Sequence, residues 1–390
     1  MKKFFIGFAA IAAMFTVSLT SCNNDEVQNV AEEAAGDAIG FQAILDNQVT
    51  TRATPTTLTE MNVANNTFMV WGYYTSDCTE SAALGIARNA RYVGSSATVG
   101  TIIKYSSDAW NYNTLGDKAY WPSQPLNFQA VTPYDYGTIV NNETDVAQLA
   151  MQVDVPADQS AQKDLMFGHE EGVTKTSHNL CVNLAFEHAL SQICFKAKTA
   201  STNITAHISG VKINNIKDAG TVGYTGALTG DKRALAVALG TTYDDYAIGM
   251  ASTDILVNST STAADLNAAS GTLMLLPQTT TAWGTTVASA VTTSAADAAN
   301  NSYLELDIAI QNGSSYVVGS YDSDTDEITY GKVYIPFTAN WAIGKKYTYT
   351  IIVGEGNNGF DENGEPLLQP ISYTVSSIEA WDPLTSDISL

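Results

Sequence analysis

The chain has 390 residues, a formal charge of −22 and only four histidines and four cysteines. Residues 1–52 hold three basic and six acidic side chains, so −19 remains on the 338 residues that follow. An acidic surface of that size repels nucleic-acid phosphates and anionic lipid headgroups, which excludes nucleic acid as a partner class. With 45% hydrophobic and 15% charged residues, the chain is expected to bury a core rather than remain disordered.

In chain order, the first element is an export signal. Lys2 and Lys3 precede an apolar stretch from Phe4 to Val17, and Leu19-Thr20-Ser21-Cys22 ends it with small residues before a cysteine. A membrane span needs about 20 apolar residues, and this stretch is shorter and has a cleavage-type end. A lipoprotein signal peptide over 1–21 is therefore expected, with Cys22 acylated as the new amino terminus. Residues 23–36 are small, polar and acidic and read as a tether. From Ala38 to Leu45, Ile39, Phe41, Ala43 and Leu45 alternate with Gly40, Gln42 and Ile44, the period-2 pattern of a strand. A lone Arg52 follows in the polar run Thr50 to Pro55. Read as a processing signal, it marks 22–52 as a lipidated propeptide whose removal takes the strand with it; read otherwise, it is an ordinary surface arginine.

The remaining length exceeds one typical core, so two domains are expected. The polar break Ala200-Ser201-Thr202-Asn203 places a seam near residue 199, giving domains over 53–198 and 199–390. Alternation predicts further strands at 68–74, 182–186, 193–198, 303–310, 333–337, 347–353 and 371–375. In Tyr303 to Ile310, leucines and isoleucines share one face while Glu305 and Asp307 take the other. No 3.6-residue periodicity is sustained; short helices or turns are expected only at 261–270 and 294–300. The fold class is all-β, and two tandem β-sandwiches suit strands with one wet face. No fixed-period repeat is evident.

Chemistry-bearing motifs are sparse. Gly354-Glu355-Gly356-Asn357-Asn358-Gly359 matches a nucleotide-loop spacing, but it runs into Phe360-Asp361-Glu362-Asn363-Gly364-Glu365-Pro366, which breaks helices and repels phosphate; a hairpin loop is the better reading. Asp322, Asp324, Asp326 and Glu327 lack the glycine and glutamate spacing of a calcium loop and read as a solvated turn. His169, His178, His188 and His207 show no metal-ligand spacing, and no nucleophile elbow is present. Neither metal, cofactor nor enzymatic activity is expected. Cys78, Cys181 and Cys194 read as buried apolar residues, with a Cys181–Cys194 bridge as the alternative. Trp110, Tyr112, Tyr120, Trp121, Tyr134 and Tyr136 crowd one turn-rich region. They either cap the first sandwich or, through Trp110, Tyr112 and Trp121, form a ligand patch.

The lipobox ending at Cys22, the acidic tether, Gly40-Phe41 and Thr51-Arg52-Ala53 are followed by Val182-Asn183-Leu184-Ala185-Phe186-Glu187-His188-Ala189-Leu190-Ser191-Gln192-Ile193, Leu275-Leu276-Pro277-Gln278 and a closing strand that leads to Trp381. In that order these motifs resemble the fimbrillin family, the major fimbrial subunits of Bacteroidetes-type bacteria. The resemblance implies two transthyretin-like β-sandwich domains, export as an outer membrane lipoprotein precursor, and trimming by an arginine-specific protease at Arg52–Ala53. It further implies polymerisation with other copies or related fimbrial subunits by strand exchange, in a cell surface fimbrium. Ile371, Tyr373, Val375, Ile378 and Trp381 are the apolar residues available for a donor strand. Two functional readings stand: a trimmed fimbrial subunit contributing to adhesion, or an untrimmed tip, anchor or accessory lipoprotein that binds glycan or a host or bacterial surface protein.

Overall fold

The computed structural model describes residues 37–45, 61–141, 148–176, 181–229, 232–282, 301–356 and 359–380. The first half contains β1 (Gly40–Leu45), β2 (Thr67–Tyr74), β3 (Arg91–Val93), β4 (Thr101–Ser106), β5 (Ala109–Tyr112), β6 (Leu126–Thr132), β7 (Thr138–Ile139), β8 (Ala150–Asp154), β9 (Met166–Val173) and β10 (Cys181–His188). The second half contributes β11 (Ser191–Thr199), β12 (Ile204–Lys217), β13 (Ala219–Thr229), β14 (Lys232–Leu239), β15 (Tyr243–Ala247), β16 (Ile255–Val257), β17 (Ala264–Asp265), β18 (Leu273–Leu275), β19 (Tyr303–Asn312), β20 (Ser315–Val318), β21 (Ser320–Asp322), β22 (Glu327–Thr329), β23 (Gly331–Pro336), β24 (Lys345–Val353) and β25 (Ile371–Ala380). All eight strands expected from alternation are present, the last running on to Ala380. The fold is all-β, and no described helix is long and apolar enough to cross a membrane.

An eight-stranded sheet runs β1-β10-β9-β6-β2-β4-β5, with β3 beside β2. Its central strand β2 is buried on both faces. Phe68, Val70 and Tyr74 point into one core, whereas Met69, Trp71 and Tyr73 point into the other. The second face packs on a four-stranded sheet, β14-β13-β8-β7, which mixes strands from both halves of the chain. In the second half, a five-stranded sheet (β17-β11-β24-β25, with β18) faces a six-stranded one (β15-β12-β19-β20, with β16 and β23) across a core of Phe195, Tyr349, Ile208, Leu306 and Ile335. Glycine is needed where sheets crowd: a Cβ at Gly223 would stand 2.4 Å from the Ala150 Cα on the neighbouring strand.

Several expectations change in detail. The polar break at Ala200–Asn203 is the turn between β11 and β12, two facing strands of one sandwich, and the chain leaves the eight-stranded sheet earlier, at Ala189–Leu190. Residues 261–270 form β17 flanked by turns, with no helix, because Ala264 and Asp265 pair with Ala197 and Lys196. Residues 294–300 lie outside the described residues. Cys78 and Cys194 are free buried thiols, so the Cys181–Cys194 bridge is not formed; Cys181, buried at the start of β10, is disulfide-bonded rather than a simple apolar filler.

Buried polar groups tie the first sheet to the mixed sheet. Arg233 on β14 forms a bidentate pair with Glu171 on β9, Nε to Oε1 and Nη2 to Oε2 at 3.1 Å, with both side chains almost wholly enclosed. Burial pushes the Glu171 carboxyl above its ordinary value, and the Arg233 guanidinium pulls in the opposite sense. The Arg233 N–H donates to Nε2 of His169 at 3.2 Å, which leaves the ring proton on Nδ1, facing the Tyr224 hydroxyl at 3.2 Å. Removing one member of a buried ion pair strands the other charge. Arg233→Ala should therefore cost about 3–5 kcal/mol in urea unfolding, whereas Arg233→Met combined with Glu171→Leu should restore most of that loss.

Candidate functional site

Strand β1 is the edge partner of β10 and runs parallel to it, from Gly40 opposite Cys181 to Leu45 opposite Phe186. Its other side is tied to the segment that follows β5. The Ile39 N–H donates to the Ala119 carbonyl at 3.0 Å, the Trp121 N–H donates to the Asp37 carbonyl at 3.0 Å, and Ala38 bridges Tyr120 in antiparallel sense. The Tyr112 hydroxyl donates to the Ile39 carbonyl at 2.9 Å and accepts from the Ala119 N–H at 3.3 Å. Burial pushes this phenol well above its ordinary value, so it remains a donor throughout the physiological range. The strand thus joins the two ends of the eight-stranded sheet, and an Asp37–Lys175 ion pair at its start is exposed and contributes little.

Strand β1 buries one face completely, with Ile39 at 0%, Phe41 at 1% and Ala43 at 1% exposure. The Phe41 ring sits edge-on to three others: Phe128 at 5.7 Å, Tyr112 at 5.9 Å and Phe68 at 6.3 Å. Phe68 in turn meets Phe186 at 5.4 Å and Trp110 at 4.7 Å, and Trp121 lies edge-on to Phe128 at 6.2 Å. Gly168 lets Phe186 reach this position, because a Cβ there would lie 3.0 Å from the ring. Where the β9–β10 ladder ends, the Glu170 carboxylate accepts the Asn183 N–H at 2.5 Å, so the part of β10 beside β1 keeps its backbone satisfied. Without β1, this bed is a groove with aromatic walls, one bare strand edge at Cys181–Phe186, and free backbone groups at Ala119–Trp121.

The sequence-predicted site residues fall in three places. Ile39, Phe41 and Ala43 fill the bed, and the Leu45 backbone completes the pairing with β10. Trp110, Tyr112 and Trp121 line the same bed: Trp110 is buried with its indole donating to Asn62 Oδ1 at 2.9 Å, and Tyr112 and Trp121 are half-buried. In the five-stranded sheet of the second sandwich, β25 pairs antiparallel with β24. There Ile371 is buried and Tyr373 packs on Phe337 at 5.2 Å, while Val375 and Ile378 are 46% and 59% exposed. Cys22, Arg52, Ala53, His178 and Trp381 lie outside the described residues.

Of the remaining candidates, His188 is buried with Nδ1 2.9 Å from the Asp164 Oδ1. The acidic run forms the exposed hairpin β21–β22, in which Asp322 accepts the Asp324 N–H at 2.8 Å. Gly354 begins the connection from β24 to β25, whose ends meet at Val353 and Ile371. Sequence inspection overlooked Phe68, Phe128 and Ala119 as parts of the site. Phe128 sits in Leu126-x-Phe128-x-Ala130, an alternation as regular as that of β1, and was the available signal.

The fimbrillin-like family model matches residues 51–381. In three dimensions the chain is similar to a fimbrial protein from Bacteroides vulgatus, with a TM-score of 0.56 and 16% identity over 88% of this chain and 99% of that one. It is also similar to the tip fimbrial protein Mfa3 from Porphyromonas gingivalis with C-terminal truncation, at a TM-score of 0.32 and 10% identity over 88% and 100% of the two chains. No curated protein matches the chain in sequence.

Phe41 is the anchor of the bed, so Phe41→Ala should destabilise the intact chain by about 3–5 kcal/mol. Tyr112→Phe, which leaves the Ile39 carbonyl and the Ala119 N–H without their shared partner, should cost about 1–3 kcal/mol. Hydrogen exchange at the β1 amides reads both changes locally: protection there should fall in each variant while β11 and β24 stay protected.

Proposed function

The chain belongs to the fimbrillin-like family, and on that premise we propose that it is a structural subunit of a cell-surface fimbria. It is made as an outer membrane lipoprotein acylated at Cys22, cut between Arg52 and Ala53 by an arginine-specific protease, and joined to other copies or related subunits by strand exchange. No enzymatic step is assigned to it.

The observation that carries this reading is β1 itself. A strand near the amino terminus is seated in an aromatic bed, and its connection to the rest of the chain runs through the segment that holds Arg52. Cutting there breaks the main-chain connection between the strand and its bed. An emptied bed exposes unpaired backbone groups beside apolar pockets, and a strand from a neighbour restores both, with hydrogen bonds supplying affinity and alternate side chains supplying specificity. The uncut precursor holds its own strand in place and is a protected monomer. Proteolysis is then the switch for assembly, and the sheared product is a surface fimbrium.

One observation favours a second reading, that of a tip, anchor or accessory subunit. β25 is paired with β24 from Ile371 to Ala380, and Ile371 and Tyr373 belong to the second core. Donating that strand means peeling it from its own sandwich, so a subunit that accepts a strand without giving one is consistent with this arrangement.

Digestion with an arginine-specific protease distinguishes these readings. The wild-type chain should acquire an amino terminus at Ala53 and form detergent-resistant ladders, and Arg52→Ala should remain uncut and monomeric. A chain trimmed at Ala53 that stays monomeric at high concentration, yet captures one related subunit, is the accepting terminal subunit. Surface material that still carries acylated Cys22 on the whole chain rejects trimming altogether.

A further inference from the structure

The bed beneath β1 has a counterpart in the second sandwich. β11 opens that sandwich as β1 opens the first, and it too pairs in parallel, with Gln192 opposite Lys346 through Thr199 opposite Val353 of β24. Its other side takes short antiparallel partners, β17 and β18, as β1 takes the bridge at Tyr120. The inward residues are the same in the same order: Ile193, Phe195 and Ala197 at 0%, 1% and 0% exposure, against Ile39, Phe41 and Ala43 at 0%, 1% and 1%. Two strands 154 positions apart thus meet the same demand of a branched aliphatic, a phenyl ring and a methyl, each filling its space to exclusion of water. The outward residues differ entirely, Gly40, Gln42 and Ile44 in one strand and Cys194, Lys196 and Lys198 in the other. The inner order therefore follows from the pockets rather than from a general preference for these segments.

We propose that the groove left by β1 selects its incoming strand by size order and direction. The strand runs parallel to β10 and places a branched aliphatic, an aromatic and a residue no larger than alanine in the Ile39, Phe41 and Ala43 positions. This rests on the reading that the strand is exchanged, and it names the partner: a strand of a second copy, with Ile371, Tyr373 and Val375 in those three pockets. That segment has the required spacing, with Ile371, Tyr373 and Val375 at alternate positions of one strand. Val375 exceeds alanine by two methyl groups, so the third pocket is the point of discrimination. Overfilling a closed pocket disfavours entry on the order of tenfold. The resident strand is accordingly the better fit, and a copy's strand enters only after the cut has broken the main-chain tether that holds this competitor at high effective concentration.

The test uses the full chain cut at Arg52, with a fluorescent synthetic peptide of residues 37–45 as the probe and retention measured by anisotropy and native mass spectrometry. The parent peptide should enter. Phe41→Ala should weaken entry by roughly 100-fold or more, Ala43→Leu by about tenfold or more, and Gln42→Leu, on the outward face, by less than about threefold. A peptide of reversed sequence should not enter. A 371–380 peptide should enter more weakly than the parent, and its Val375→Ala version should recover most of the difference. Entry of the parent peptide with equal binding of Ala43→Leu, or of the reversed peptide, overturns the size-and-direction rule and leaves strand exchange standing. Failure of the parent peptide to enter a chain that has lost residues 37–45 overturns both.

Discussion

The two ends of the first sheet are joined through β1 and the residues just before it. On one side this strand completes the ladder with Cys181–Phe186, and on the other it reaches Ala119–Trp121 with the help of the Tyr112 hydroxyl. Its inner face supplies Ile39, Phe41 and Ala43 to a core otherwise built from Phe68, Trp110, Phe128 and Phe186. A six-residue segment therefore does three jobs: it satisfies backbone groups at two edges, fills the centre of a core and closes the sheet on itself. Losing it does not merely shorten a strand; it opens a core to water, which is why an edge of this kind has so strong a tendency to be refilled.

The rest of the molecule is held by contacts on the other face of the sheet. The opposite face of the same sheet packs through Met69, Trp71, Tyr73 and Phe167 into a separate, larger core shared with the mixed sheet. Strands β7 and β8 from the first half and β13 and β14 from the second interleave there, and the Arg233–Glu171 pair with His169 and Tyr224 fixes their register. Gln129 adds to this by accepting the Leu149 N–H at 2.8 Å from within the sheet-to-sheet contact. The core that β1 fills and the core shared with the mixed sheet therefore lie on opposite faces of one sheet. In the second sandwich, β11 is continuous with β10 and β12 along the chain.

Much of this was legible in the residues. Period-2 alternation located β1, β2, β10, β11, β19, β23, β24 and β25; in most of them the pleat reports a buried face directly, whereas β25 buries only its first residue, Ile371. The seam was less legible: Ala200–Asn203 is polar because it is a tight connection between facing strands, and polarity alone does not distinguish such a turn from a boundary between domains. The aromatic run from Trp110 to Trp121 was ambiguous for a related reason. Composition shows that rings are abundant, but whether they face solvent or a neighbouring strand depends on partners far away, here Phe41, Phe68 and Phe128.

The sequence by itself determined the all-β class, the inward and outward faces of regularly alternating strands such as β1, β10 and β19, and the position of a lone arginine after the first of them. These are local properties, set by side-chain alternation and by the residues that flank a segment. Only the tertiary structure decided that β1 lies parallel to β10, that Tyr112 bridges it to Ala119, and that β25 is held by β24. Pairing direction and edge partnership depend on segments from a few residues to more than a hundred residues apart, and an alternating pattern reads the same whichever neighbour it meets.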